Sequence, residues 1–238
     1  MAAALAGKTL PSGWPLLDAE LPGGGWPCAG LCEILCDHNG IGELSLIAPA
    51  LAAGRDARDA ALLVMPSGRA ALPYAPGLAG AGIDLTQLAI VRPGSRDDAL
   101  WATEQALKSG ACRAVCFWME GPQPGALPLR RLAQAALAGS TLGFALRPSM
   151  AARQPSPAML RMLLTPAAQG LLQIDLLKRR GLPPGKSIAV DPRALECLAR
   201  EARASANGTS PATSPWLARL LNIRTGGKVR EHAIAPSR

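Results

Sequence analysis

Apolar positions in this chain come in short runs whose period changes along the sequence. Residues 31–35 (LCEIL) alternate as a strand does, run into the Gly-containing turn CDHNGIGE, and continue as LSLIAPALAAGRDA, whose apolar residues have helical spacing. Pro49 falls inside that helical stretch and is expected to interrupt it. A second unit follows the same plan: ALLVM (61–65) reads as a buried strand, PSGRAALPYAPGLAGAG as a Pro-rich loop and LAIVRP (88–93) as another strand. Helical spacing returns over 97–109, and 111–119 (ACRAVCFWM) is a continuous apolar strand with Cys112 and Cys116 expected on one face. A helix over 127–137 and a strand over 141–146 complete the alternation. Strands alternating with helices predict an α/β fold with a mostly parallel sheet flanked by helices.

After Arg147 the pattern changes. MLRMLLTPAAQGLLQIDLLKRRG reads as two strands separated by a turn, the antiparallel edge of the same sheet. Residues 192–203 (PRALECLAREAR) carry Pro at a first helical turn and then amphipathic spacing, which predicts a short helix. The expected organisation is a Pro/Gly-rich N-terminal segment (1–30) holding a short helix closed by a Gly run, an α/β domain (31–204), and a linker with a basic tail (205–238). In that tail Trp216 and Leu220 stand one helical turn apart, as do Leu217 and Leu221. Such an apolar face either folds back on the body or docks into a partner groove, and a Trp among Leu neighbours favours docking.

Composition narrows the class. Of 238 residues 49% are hydrophobic but only 3% aromatic, with 25 Gly and 22 Pro, so the core must be built from Ala, Leu, Val and Ile, and a fibrous or coiled-coil chain is excluded. No apolar run approaches the roughly 18–20 residues of a membrane helix, and MAAALAGK lacks the features of an export signal. The expectation is a cytoplasmic protein whose six Cys are reduced thiols. Charge is uneven: residues 1–175 carry thirteen basic and thirteen acidic side chains, residues 176–238 twelve and four, so the formal +8 lies in the last quarter. Lys178, Arg179, Arg180 and Lys186 form the densest basic cluster. It is either a contact for nucleic-acid backbone or an acidic partner, or a solvated strand end. The scarcity of aromatics leaves little for base stacking, so any DNA contact would be weak and independent of sequence.

The turn after the first strand sits where a phosphate-binding loop would be. A nucleotide loop reads GxxxxGK[ST], with backbone N–H groups and a Lys around the phosphates and a hydroxyl on Mg²⁺. Here, with Asn39, Gly40 and Gly42 in the loop, Glu43 stands in the place of the Lys and Leu44 in that of the hydroxyl. A carboxylate facing phosphates repels them, so ordinary ATP binding is not expected and no cofactor is implied. Cys28, Cys32 and Cys36 with His38 invite a zinc reading, but no second ligand pair follows, and buried thiols account for them better. Asp97 and Asp98 are read as helix caps. Neither His38 nor His232 assembles into a nucleophilic triad.

The stretch SGWPLLDAELPGGGWPCAGLCEILCDHNGIGELSLIAPAL resembles the opening of the RecA core. With ELPGGGWP, GIGEL, ALRP at Arg147 and LLKRRG, the chain over roughly residues 9–200 is similar to ImuA, the RecA-like accessory family of bacterial translesion synthesis. The resemblance puts Ser67 where RecA has its water-activating Glu, Trp118 where the metal-side Asp belongs, with Glu120 just beyond, and Arg147 near the nucleotide-sensing Gln. It therefore implies the RecA-like fold without ATP hydrolysis. The function it implies is that of an adaptor in SOS mutagenesis, with the polymerase homologue ImuB, a DnaE-type error-prone polymerase and RecA as partners. Two other readings remain: a SulA-like inhibitor of FtsZ assembly, and an ATPase with a divergent loop.

Overall fold

The computed structural model describes residues 8–52, 60–67, 73–119 and 126–194. The elements in chain order are β1 (Thr9–Leu10), α1 (Pro15–Glu20), β2 (Trp26–Pro27), β3 (Gly30–Leu35), α2 (Glu43–Ala52), β4 (Ala60–Val64), α3 (Ala75–Gly80), β5 (Leu88–Val91) and α4 (Arg96–Ser109). They continue as β6 (Cys112–Trp118), α5 (Ala126–Ala138), β7 (Leu142–Arg147), β8 (Leu160–Pro166), β9 (Leu172–Arg179) and β10 (Ser187–Val190). Eight strands form one sheet in the order β5-β4-β6-β7-β3-β8-β9-β10. The six from β5 to β8 run parallel, and β9 runs against both its neighbours. β1 and β2 make a separate antiparallel pair.

This order determines which helix covers which face. The chain steps outward from β3 to β4 to β5, then returns through β6 and β7 to the flank of β3. Right-handed crossovers place the helices of an outward and a returning path on opposite faces. Accordingly Leu46, Ile47 and Leu51 of α2 and Leu78 of α3 pack with Ile34, Phe144 and Met162 in one core. Leu107 of α4 and Leu129, Leu132 and Ala136 of α5 pack with Leu31, Val115, Phe117 and Ala145 in the other. Both layers are mostly aliphatic, as the composition requires. The fold is thus α/β, with a large, mostly parallel sheet between helices and a small antiparallel pair beside it.

Several sequence expectations meet local physics that a one-dimensional pattern does not carry. α2 runs through Pro49 without a break, because Leu46, Ile47, Ala50 and Leu51 are all buried and their packing outweighs the missing backbone donor. Cys112 and Cys116 face opposite cores, not one: the pairing of β4 with β6 passes from Ala60↔Cys112 to Ala61↔Ala114, so Arg113 is an extra residue that reverses the alternation. The Arg113 side chain then reaches the carbonyls of Ala50 and Leu51 at the end of α2. The loop expected before 88 contains α3, and β9 is followed by a further strand, β10.

The segment 8–30 contributes Trp14, Leu17, Leu21 and Trp26 to the first core. Gly25 permits β1 to approach, since a Cβ there would lie within 2.3 Å of the Leu10 carbonyl oxygen. At α4 the cap is Ser95, whose hydroxyl accepts from the Asp98 N–H, while Gly110 at φ 63° ends the helix. Asp98 completes that cap by accepting from the Ser95 hydroxyl, whereas Asp97 lies in the first turn. The helix expected over 192–203 lies largely outside the described residues, as do Trp216, Leu217, Leu220 and Leu221.

Candidate functional site

β3 ends in the interior of the sheet, between β7 and β8, and its C-terminal end delivers the loop of residues 36–42 to the first turn of α2. In α/β sheets the crevice beyond such strand ends is where ligands bind. The loop is fixed at its start: Cys36 N–H continues the ladder to the Arg147 carbonyl at 2.9 Å, and the Asp37 carboxylate accepts from the Ser149 hydroxyl at 2.7 Å and its N–H at 3.0 Å. Those two bonds hold the Asp37 carboxyl below its ordinary pKa. His38 and Asn39 are exposed.

The far end of the loop closes on a side chain. Gly40 (φ +82°) and Gly42 (φ +113°) adopt backbone conformations that suit glycine, and their N–H groups turn toward the Glu43 carboxylate. Gly40 donates to Glu43 Oε1 at 2.8 Å and to Oε2 at 3.0 Å, and Gly42 donates to Oε2 at 3.2 Å. Glu43 is the first residue of α2 and only 3% exposed, so its charge sits at the positive end of that helix. Leu44, in the place of a metal-binding hydroxyl, packs against the first core. A phosphate brought to these N–H groups would meet a like charge, a repulsion of about 4 kcal/mol at 4 Å in a moderately polar surrounding.

The other positions singled out in the sequence scatter. Ser67 is exposed, Trp118 packs partly buried against the first core at the end of β6, and Glu120 lies outside the described residues. Arg147 is buried at the end of β7 in an ion-paired group that the sequence reading did not foresee. Its Nη1 lies 2.6 Å from Glu33 Oε1, while Arg161 Nε lies 2.5 Å from Glu33 Oε2. Glu33 on β3 is paired directly with Arg161 on β8 and diagonally with Arg147 on β7, all on the α5 side of the sheet. Arg161 also donates to the carbonyls of Ala151, Ala152 and Gln154, which fixes the crossing from β7 to β8 over the end of β3. One charged residue in each of three apolar strands was the available signal, because such charges are rarely buried without partners.

The basic cluster divides. Lys178 donates to the Ser156 carbonyl at 2.8 Å, and burial, reinforced by the nearby Arg161, lowers its pKa. Arg179 Nη1 donates to the carbonyl of Glu20 at 2.7 Å and to its carboxylate at 3.0 Å, and its other nitrogens bond the carbonyls of Pro183 and Pro184. Arg179 therefore ties the end of α1 to the turn after β9. Arg180 and Lys186 are exposed and are the members placed to meet an external anion.

Cys32, Cys36, Cys112 and Cys116 are buried, and burial raises their thiol pKa values, that of Cys36 up to about 12 with Glu43 and Asp37 adding to the effect. Cys28 and His38 are exposed, and among the described residues no group of three or more His, Cys, Asp or Glu is arranged to hold a metal. No helix among the described residues is long and apolar enough to cross a membrane. No protein-family model matches the chain, and no curated protein matches it.

Proposed function

We propose that this chain is a RecA-like accessory protein of the DNA-damage response, similar to ImuA. In this reading it is a non-catalytic adaptor in error-prone translesion synthesis, bringing together ImuB and a DnaE-type polymerase, with RecA as a further partner. The observation that carries the reading is the fate of Glu43 and Leu44. Where a nucleotide-binding chain needs a Lys and a hydroxyl, one side chain is bonded to the loop and the other packs against the core. The interior β3, the loop and α2 keep the order of a phosphate-binding unit, and the helices on both faces and the antiparallel outer strands agree with the resemblance carried by ELPGGGWP, GIGEL and LLKRRG. Arg180 and Lys186 supply a weak, sequence-independent contact to DNA or to acidic partner residues.

The test is binding of the full chain to purified ImuB, with Trp216→Ala/Leu220→Ala beside it, at two salt concentrations and without ATP. The expected result is a salt-insensitive interaction, independent of nucleotide, that the double substitution abolishes. Equal binding by both proteins would move the interface from the tail to the body. Absence of binding would remove ImuB as the partner and bring FtsZ forward. ATP turnover lost on replacing Glu43 or Glu120 would replace the adaptor with a divergent ATPase.

A further inference from the structure

The loop between β3 and α2 is built as an anion cradle, and a carboxylate of its own chain is already in it. We propose that Glu43 is an intramolecular substitute for an oxyanion ligand: its carboxylate holds residues 36–42 permanently in the shape that a bound phosphate would otherwise impose, and Pro192 closes the loop from outside. The inference rests on the geometry of this loop and not on the partners proposed above, so either can fail without the other.

Three features support it. The carboxylate folds back from the first residue of α2 onto the N–H groups of Gly40 and Gly42, both at positive φ, at 2.8–3.2 Å. Backbone N–H groups converging in this way make a concavity for an anion, and a charged acceptor strengthens each bond. Second, the carboxylate is withdrawn from solvent, with Glu43 3% exposed although it begins a helix beside an exposed loop. An ordinary acidic residue in a first helical turn gains from the helix dipole while staying hydrated; this one is spent on the loop. Third, the loop is held from two further sides. Asp37 is bonded to Ser149 after β7, and Pro192 after β10 lies so close to Gly42 that a Cβ there would come within 2.8 Å of the Pro192 Cβ. The ends of β7 and β10 are thereby joined to α2 through a loop whose shape its own side chain sets.

The consequence is a face that does not respond to nucleotide. A ligand shifts a conformational equilibrium only through different affinities for the two states, and a cradle filled from within offers none. Removal of the carboxylate should restore dependence on an external anion.

The first measurement is amide hydrogen exchange of the full chain by NMR at neutral pH. The Gly40 and Gly42 amides are expected to be protected at least about tenfold over unstructured rates, without any added anion. Exchange at the unstructured rate would overturn the proposal. The second uses Glu43→Ala, melted in sodium pyrophosphate and in sodium chloride of equal ionic strength. Its Tm is expected to fall by about a few degrees and to be regained saturably in pyrophosphate alone, while the unsubstituted chain gives the same Tm in both salts. A variant that keeps its Tm, or loses it without regaining any in pyrophosphate, would show that Glu43 is not a ligand substitute. Should Glu43→Ala fail to fold, Glu43→Gln is read by exchange instead: protection at Gly40 and Gly42 is expected to fall about tenfold with the sheet amides unchanged, and retained protection would overturn the proposal.

Discussion

Pro192 rests on Gly42, with Leu172 of β9 beside it, so residues that follow the outermost strand touch a loop that leaves the middle of the sheet. Both the φ of +113° and the closeness of Pro192 demand glycine at position 42. Gly42→Ala is expected to lower stability by about 1–3 kcal/mol, from the backbone conformation and the contact together. Gly42→Ala/Pro192→Gly should recover only the part due to the contact, which equilibrium urea denaturation of the three proteins would measure. Full recovery in the double variant would mean that the backbone conformation costs nothing.

A different kind of strength is expected of Glu33. Its carboxylate lies in the core between Arg147 and Arg161, and hydrogen bonds carry that pairing into the β7–β8 crossing. Removing one member of a buried ion-paired group leaves charge without compensation, so Glu33→Gln should cost about 3–5 kcal/mol. The triple change Glu33→Leu/Arg147→Met/Arg161→Met should recover most of that, because apolar groups of similar size need no partner. Guanidinium denaturation distinguishes the two, and a triple variant no more stable than the single one would show that the bonds to the crossing, not the charges, matter most.

The same residues mark how far the sequence could be read. Alternation of strand and helix patterns was enough to place β3 through β7 and the β8–β9 pair, because each is an apolar run bounded by turn residues. α3 was hidden by composition: APGLAG looks like a loop, yet Pro76 occupies a first helical turn where its missing N–H costs nothing. β10 is a four-residue edge strand in which only Ile188 and Val190 pack inward, an alternation too short to announce it. The faces of Cys112 and Cys116 depended on one extra residue at Arg113, which only the register with β4 reveals. At the loop, Glu43 was legible as the wrong residue for a phosphate site, but not that its carboxylate would turn back onto Gly40 and Gly42. Arg179 reads as one of three consecutive cations, and its partners on Glu20, Pro183 and Pro184 are contacts made by the fold.

Acid should loosen the start of the loop. The Asp37 carboxyl has its pKa lowered in the folded protein by the bonds from Ser149, so its contribution to stability is present above the unfolded value, about 3.9, and is lost as pH falls through the folded one. Asp37→Asn removes that dependence. Melting temperatures from neutral pH down to about pH 3 should fall less steeply for Asp37→Asn than for the unsubstituted chain. Parallel curves would show that the Ser149 bonds do not distinguish the charged from the neutral carboxyl.

The four cations at the end of β9 and just beyond it separate into two roles that one pair of assays resolves. Arg179 makes four bonds to Glu20 and to the turn before β10, and its side chain is only 12% exposed, so Arg179→Ala should cost about 1.5–3 kcal/mol of stability. Arg180 and Lys186 are exposed, and replacing either with Ala should leave stability within about 0.5 kcal/mol. If these two meet nucleic-acid backbone, each replacement should flatten the dependence of single-stranded DNA affinity on salt by about one unit, equally for every sequence tested. Arg179→Ala, measured where it is still folded, should leave that slope unchanged. A slope that changes with Arg179 and not with Arg180 or Lys186 would place the DNA contact near the end of α1 instead. Slopes equal in all three variants would leave the exposed pair as a solvated strand end.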